Sequence, residues 1–306
     1  MHSIDASVER NGEGTQGGAV ILEKIGLVLE GGGMRTAYTA GVLEYFAEQG
    51  FYLPYTIGVS AGACTAASYL SRQQGRNKVV NIDWVADPRY LSWRNWLRNR
   101  QLFGMDFIFD EIPNSLVPFD FEAFSASSEE LAVGMTDCET GETVYGYKNA
   151  PGFDVLRALR ASSSLPFIAP SVEYDGRPMM DGGISDPIPL RQAERDGCDR
   201  NILILTRNES YRKSPNRFPW LVRTAYGKYP EFVKTLLRRH EIYNETLSYI
   251  DRRAQEGKAF VIRPTVPLEV GRMERDPAKL LALYEQGMKD ARELMPSLRE
   301  WMSGEV

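Results

Sequence analysis

The stretch IGLVLEGGGMRTAYTAGVLEYF, Ile25 to Phe46, decides how this chain is read. An apolar run, IGLVLE, ends on three consecutive glycines. Apolar residues at helical spacing follow, with Val42, Leu43 and Phe46 on one side and Gly50 as the stop. A strand that turns into a helix through residues without side chains bares backbone N–H groups to whatever docks there. Such a turn holds either a phosphate or the oxygen of a carbonyl under attack.

The phosphate reading fits poorly. A dinucleotide fingerprint needs G-x-G-x-x-G, and an acidic residue at the end of the next strand. Gly31 and Gly33 fit, but Thr36 takes the third glycine position, and the next apolar strand, YTIGVS, leads into GVSAG without a carboxylate. The loop G-x-x-x-x-G-K-[ST] is missing. A plain strand-to-helix turn is the bland alternative. Arg35 argues against it, because a cation in the first turn of a helix opposes the helix dipole. Unless its head group reaches into solvent, Arg35 pairs with a fixed acid or with developing negative charge.

GVSAG, Gly58 to Gly62, is a G-x-S-x-G pattern between an apolar strand and the small-residue helix AGACTAASYLSRQQG. That strand–turn–helix setting is the context of a nucleophile elbow, with Ser60 lifted out of the sheet. The N–H groups of the following helix favour an oxyanion. In a parallel sheet the ends of neighbouring strands meet at one rim. The glycine turn after strand one and Ser60 after strand two therefore predict an oxyanion hole beside a nucleophile.

A serine hydroxyl needs a base. The chain has two histidines, His2 near its start and His240 in the basic helical stretch TLLRRHEIYNE. A Ser–His–Asp triad is thus poorly supplied, and a carboxylate is the alternative. RPMMDGGISDPIPL places Asp181 between an apolar strand and Gly182 and Gly183, although an Asx turn is the structural alternative there. Asp137, in TDCETGE, reads as hairpin chemistry, and Asp186 precedes a proline; both rank below Asp181.

Taken in order, GGGMRT, GVSAG and DGG resemble the motifs of the patatin-like phospholipases, particularly their bacterial cytosolic branch. ASSSLPFIAP and NRQLFGMDFIFDEIP are similar to that family as well. The resemblance is firm from Ile25 to Arg207 and loose in the last third. It implies hydrolysis of an acyl ester through an acyl-serine intermediate, without metal or cofactor. Ser60 would be the nucleophile and Asp181 its dyad partner, with Gly31, Gly32, Gly33 and Arg35 forming and supporting the oxyanion hole. Thr36 stands where the family usually has glycine.

The wider sequence agrees with an enzyme of this kind. The 306 residues are 43% hydrophobic and 25% charged, enough to bury a large core, and the net charge of −5 does not point to nucleic acid. Cys64, Cys138 and Cys198 are odd in number and widely spaced, which argues against a disulfide framework or a zinc site and favours a reducing, cytoplasmic setting. No apolar run spans a bilayer. Further strand candidates are ELAVGMT, ETVYGY, SVEYDGRPMMD with a D-G hairpin, NILILTRN and KAFVIRP, and helical patterns cover Pro219 to Gln255 and Pro277 to about Met302. The alternation predicts a three-layer α/β/α fold on a mainly parallel sheet. Residues 1–18, polar and Gly-rich, read as a disordered tail, and 19–306 as one domain. Trp84, Tyr90, Trp93, Trp96, Phe103, Phe107 and Phe109, set among arginines, suit either a lipid–water interface or a helical cap core. A peripheral membrane contact joins the lipid or ester substrate as an expected partner. Two alternatives remain: an α/β-hydrolase with Ser60, Asp181 and His240 as a triad, and a non-catalytic regulator that binds lipid or a partner on the same fold.

Overall fold

Alternate residues of the central strands face opposite sides of one sheet, as a period of two requires. Leu27 and Leu29, with Ile202 and Ile204, join one apolar cluster, whereas Val28 and Leu203 join another. The computed structural model describes residues 24–99, 101–267 and 269–304, so the stretch 1–18 lies outside it. The strands are β1 (Ile25–Leu29), β2 (Tyr55–Val59), β3 (Glu130–Asp137), β4 (Thr143–Tyr147), β5 (Val172–Tyr174), β6 (Arg177–Asp181), β7 (Arg200–Ile204) and β8 (Ala259–Ile262). The helices are α1 (Ala37–Glu48), α2 (Ala61–Leu70), α3 (Arg76–Lys78), α4 (Trp93–Asn99), α5 (Phe121–Ala126), α6 (Val155–Ser162), α7 (Leu190–Arg195), α8 (Pro219–Ala225), α9 (Pro230–Gln255) and α10 (Pro277–Ser303).

The sheet order is β5-β6-β3-β2-β1-β7-β8, with β4 also paired to β3. The pairs β1–β2, β1–β7, β2–β3 and β7–β8 are parallel. The pairs β3–β4, β3–β6 and β5–β6 are antiparallel. One face of the sheet is covered by α1, α2, α6 and α10, and the other by α7 and α9. The result is the three-layer α/β/α fold with a mainly parallel sheet that the alternation predicts.

The last helix is bound into this body by close backbone contact. A Cβ on Gly41 of α1 would overlap the carbonyl oxygen of Tyr284 in α10, and one on Gly287 would overlap that of Tyr38. The two helices therefore meet backbone to backbone, and the Tyr38 hydroxyl donates to Asp290 Oδ2 at 2.7 Å across the seam.

Two local expectations need comment. The D-G hairpin forms, with Asp175 at φ 49° and Gly176 at φ 74°, the left-handed pair of a tight primed turn. The helical pattern from Pro219 to Gln255 is not continuous, because α8 ends at Ala225 and α9 starts afresh at Pro230. Proline lacks the N–H an interior helical position must donate but fits a first turn, and Gly227 lies in the break.

Gly41→Ala should push α1 off α10. Overpacking of this kind costs about 1–3 kcal/mol, so a lowered thermal midpoint in a calorimetric melt is expected. An unchanged midpoint would mean that the seam carries little of the stability.

Candidate active site

The site is assembled along one edge of β3. Residues Ala132–Thr136 of β3 give one edge to β4. The opposite edge is shared: β2 runs along it until Val59 pairs with Gly134, and β6 arrives from the other direction with Asp181 on Met135. The residue after β2 is Ser60, and the last residue of β6 is Asp181, so the two strand ends abut. A parallel and an antiparallel strand on one edge thus bring Ser60 and Asp181 together from far apart in sequence.

Ser60 adopts φ 55° and ψ −137°, a region that costs a residue with a Cβ about 1–3 kcal/mol. Three contacts hold it there. Its N–H donates to Ser162 Oγ at 2.7 Å, and that hydroxyl donates to the Gly134 carbonyl at 2.6 Å. Its carbonyl accepts from the Cys64 N–H at 3.2 Å as α2 begins. Gly58 and Gly62 make room: a Cβ on Gly58 would lie 2.9 Å from the Ala63 nitrogen, and one on Gly62 2.6 Å from the Glu30 carbonyl oxygen. The first turn of α2 consequently rests on the end of β1, where the glycine turn begins.

A Cβ on Gly31 would lie 3.1 Å from Ser60 Cβ, so the glycine turn touches the elbow directly. Among the described residues, the N–H groups of Gly31, Gly32 and Gly33 donate to no protein acceptor, whereas the Met34 N–H donates to the Arg272 carbonyl at 3.1 Å. The turn therefore offers free donors beside a buried hydroxyl. Thr36 fits without disturbing it, since its hydroxyl donates to the Gly33 carbonyl at 2.7 Å. Arg35 does not reach into solvent. It is 3% exposed, with Nε unpartnered, and burial lowers its pKa to about 10 despite the nearby Glu30 carboxylate.

Asp181 is 1% exposed. Its Oδ1 accepts from the Gly183 N–H at 2.8 Å, and Gly182 lies against the Gly134 carbonyl, so the D-G-G turn fixes the carboxyl. Oδ2 is buried with no hydrogen-bond partner. Burial raises the Asp181 pKa, and the Arg239 guanidinium, the Ser60 hydroxyl, Arg272 and the Gly183 N–H oppose that rise. The Ser60 hydroxyl is thus near enough to the carboxyl to favour its charged form. The other acids are engaged elsewhere. Asp137 pairs with Arg177 at 3.0 Å, and Asp186 accepts from the Tyr145 hydroxyl at 2.6 Å. His240 Nδ1 lies 3.1 Å from the Leu237 carbonyl of its own helix, and Nε2 lies 3.9 Å from Glu241. It lines neither of the recesses that meet at Ser60.

Those two recesses share Gly33, Ser60 and Leu165, and they differ in chemistry. One, partly open to solvent, is walled by apolar residues including Tyr90, Phe103, Phe109, Ile112 and Leu159. The second is polar and contains the glycine turn, Asp181 and the cations Arg35, Lys213, Arg239 and Arg272. The aromatic run of the sequence divides accordingly. Tyr90, Phe103 and Phe109 line the apolar recess, Phe107 is buried in the core, and Trp93 is 71% exposed. Lys213, Arg239 and Arg272 carry no motif, and sequence reading misses them; Ser162 lies in the family-like block ASSSLPFIAP, but sequence reading gives it no role. Arg239 is next to the histidine that reading singled out, and its Nε donates to the Gly183 carbonyl at 2.6 Å.

Comparisons with known proteins match most of the chain. A family model described as patatin-like phospholipase matches residues 27–194, and one described as a domain of unknown function (DUF6363) matches 229–303. An uncharacterized Escherichia coli protein, YjjU, is 27% identical over 250 residues, 80% of this chain and 70% of its own length. The lysophospholipase NTE1 of Saccharomyces cerevisiae is 25% identical over 184 residues, 58% of this chain but only 10% of the yeast protein. Among solved structures, VipD from Legionella pneumophila aligns with a TM-score of 0.47 and 13% identity over 90% of this chain and 67% of its own.

Ser162→Ala should leave the buried Ser60 N–H without an acceptor. An unsatisfied buried donor costs about 1–3 kcal/mol, so the melting temperature should fall. A midpoint equal to that of the parent would show that the elbow does not depend on Ser162.

Proposed function

This chain belongs to the patatin-like phospholipase family, and from that premise we propose that it is a serine acyl hydrolase that cleaves lipid carboxylic esters through a Ser60–Asp181 dyad. The observation that carries the reading is the buried Asp181 carboxyl, with Oδ2 unpartnered, close to a serine held in strained backbone geometry beside free N–H donors. The name of the yeast relative, a lysophospholipase, supports a lipid ester as substrate.

In this mechanism Ser60 Oγ attacks the ester carbonyl carbon as its proton passes to Asp181. The carbonyl oxygen becomes an oxyanion received by the N–H groups of Gly31, Gly32 and Gly33, with the Arg35 cation behind them. Collapse breaks the ester C–O bond, and the leaving alkoxide takes the proton from Asp181. Water then attacks the acyl-serine, delivers a proton to Asp181, and releases the fatty acid as Ser60 is reprotonated. Burial serves the base, because a raised carboxyl pKa makes Asp181 a better proton acceptor than a solvated aspartate. The apolar recess takes the acyl chain.

Substrate held in a bilayer requires contact with it. No helix among the described residues is long and apolar enough to cross a membrane. An exposed apolar rim instead supports peripheral contact: Trp93 and Leu97 on α4, Phe167, and Phe218, Trp220 and Leu221 at the start of α8. These segments adjoin, since the Phe167 N–H donates to the Tyr226 hydroxyl at 2.8 Å and the Leu102 N–H to the Ile168 carbonyl at 2.9 Å. Arg94, Arg98, Arg217 and Arg223 lie on the same segments and suit anionic headgroups.

Ser60→Ala should abolish hydrolysis of a short-chain aryl ester and labelling by an acyl-serine reagent, with an unchanged melt. Retained turnover would remove the assignment, and a wild-type enzyme that neither turns over nor labels would favour the non-catalytic regulator. Asp181→Asn should remove nearly all activity, whereas His240→Ala should keep kcat/KM within a few fold. In wild type the acid limb of the pH profile should lie above the ordinary aspartate value of about 3.9, with activity lost as pH falls through it and Asp181 takes up a proton. A folded His240→Ala enzyme that loses activity by orders of magnitude would revive the triad.

Replacing Trp93 and Trp220 together by Ser should weaken co-sedimentation with anionic liposomes while soluble-ester hydrolysis continues. Undiminished co-sedimentation would mean that the apolar rim is not the membrane contact.

A further inference from the structure

The polar recess holds more positive charge than its fixed acids need. Four cationic side chains line it, Arg35, Lys213, Arg239 and Arg272, against two carboxylates, Glu30 and Asp181. Both oxygens of Glu30 are already occupied, Oε1 by the Tyr243 hydroxyl at 2.7 Å and Oε2 by the Thr206 N–H at 2.6 Å. None of the four cations closes an ion pair with a carboxylate among the described residues. A cation set that only balanced the two acids would need two members.

The excess is costly. Burial, with the mutual repulsion of Arg239, Arg272 and Arg35, pushes Lys213 down to about 7, while Glu30 pulls the other way. Burial and Arg272 lower Arg239 to about 10. Groups that burial and like charges drive toward neutrality gain most from an incoming anion. The recess also meets the apolar recess at Ser60, so an ester held there with its acyl chain in the apolar recess can place its alcohol portion among the cations.

Resting on the proposed esterase reading, we infer that Lys213, Arg239 and Arg272 form a clamp for a phosphate on the alcohol side of the substrate, making the preferred ester a lysophospholipid with an exposed phosphate. Arg239 and Arg272 lie within 229–303, the segment matched by the domain of unknown function, and outside the 27–194 match. The role of that segment is then to supply the headgroup half of the site. It also braces the catalytic turns, through the Arg272 carbonyl under the Met34 N–H and Arg239 Nε under the Gly183 carbonyl. Arginine guanidinium groups bind phosphate oxygens in pairs, and lysine adds a point charge.

The test compares 1-hexanoyl-glycerol-3-phosphate with 1-hexanoyl-glycerol, two esters that differ only in the phosphate. In wild type the ratio of kcat/KM values should favour the phosphate ester by roughly tenfold or more, as charge-assisted contacts of this kind allow. In Lys213→Met/Arg272→Gln, which keeps the Arg272 backbone, the ratio should fall to about one or below, chiefly through KM. A wild-type ratio near one, or a ratio the double variant does not lower, overturns the clamp. Binding is read separately by calorimetry on Ser60→Ala, which needs no turnover. The lysophospholipid should bind more tightly than inorganic phosphate, and the double variant in that background should bind it at least tenfold more weakly. Equal affinity for inorganic phosphate would make free phosphate the ligand and overturn the headgroup assignment. Binding to Ser60→Ala without turnover of either ester by wild type would sink the esterase reading and leave the anion clamp standing.

Discussion

One edge of β3 carries two strands that run in opposite directions. The parallel β2 ends on it at Gly134, and the antiparallel β6 ends on it at Met135. That junction is the constraint on which the rest of the site depends. It fixes Ser60 and Asp181 at abutting strand ends although they lie far apart in sequence. The backbone around it is correspondingly tight. Gly182 presses on the Gly134 carbonyl, and Ser162 bridges the Ser60 N–H to that same carbonyl. A single peptide carbonyl in β3 is thus touched both by the residue that supports Ser60 and by the turn that carries Asp181. Errors in register there would separate the pair altogether, since a slip of one residue turns each side chain to the other face.

Much of the fold was legible in the sequence because local signals carry it. The apolar runs, the three glycines and Gly50 fix β1, the turn and α1 through periodicity and backbone freedom alone. The D-G pair fixes the β5–β6 hairpin. The break between α8 and α9 was harder to see, because apolar spacing continues across Gly227 and Pro230 while the backbone does not. At the site, Ser60, Asp181 and the glycine turn were legible because strained turns demand glycine in short, ordered motifs. Lys213, Arg239 and Arg272 were not. Each converges on the recess from a separate part of the chain, and a lysine or arginine is common enough on any helix face or loop to look like a solvated charge. Arg35 shows the same limit from the other side: its charge sign against the helix dipole flagged it, but only the packing shows it to be buried.

In the proposed mechanism the clamp and Asp181 would be coupled electrostatically through Arg239, and this would set a direction for catalysis. Arg239 and Arg272 oppose the rise that burial imposes on the Asp181 pKa. They work against the basicity that burial confers. A phosphate seated on the clamp neutralises part of that positive potential, so Asp181 responds more fully to its dry surroundings and its pKa climbs further. The base then becomes a stronger acceptor for the Ser60 proton at the moment a phosphate-bearing ester is in place. A neutral ester of equal size binds without changing the potential and meets the weaker base. Recognition of the headgroup would therefore act on the chemical step as well as on affinity, because the charge that reads the substrate is the same charge that tunes the carboxylate.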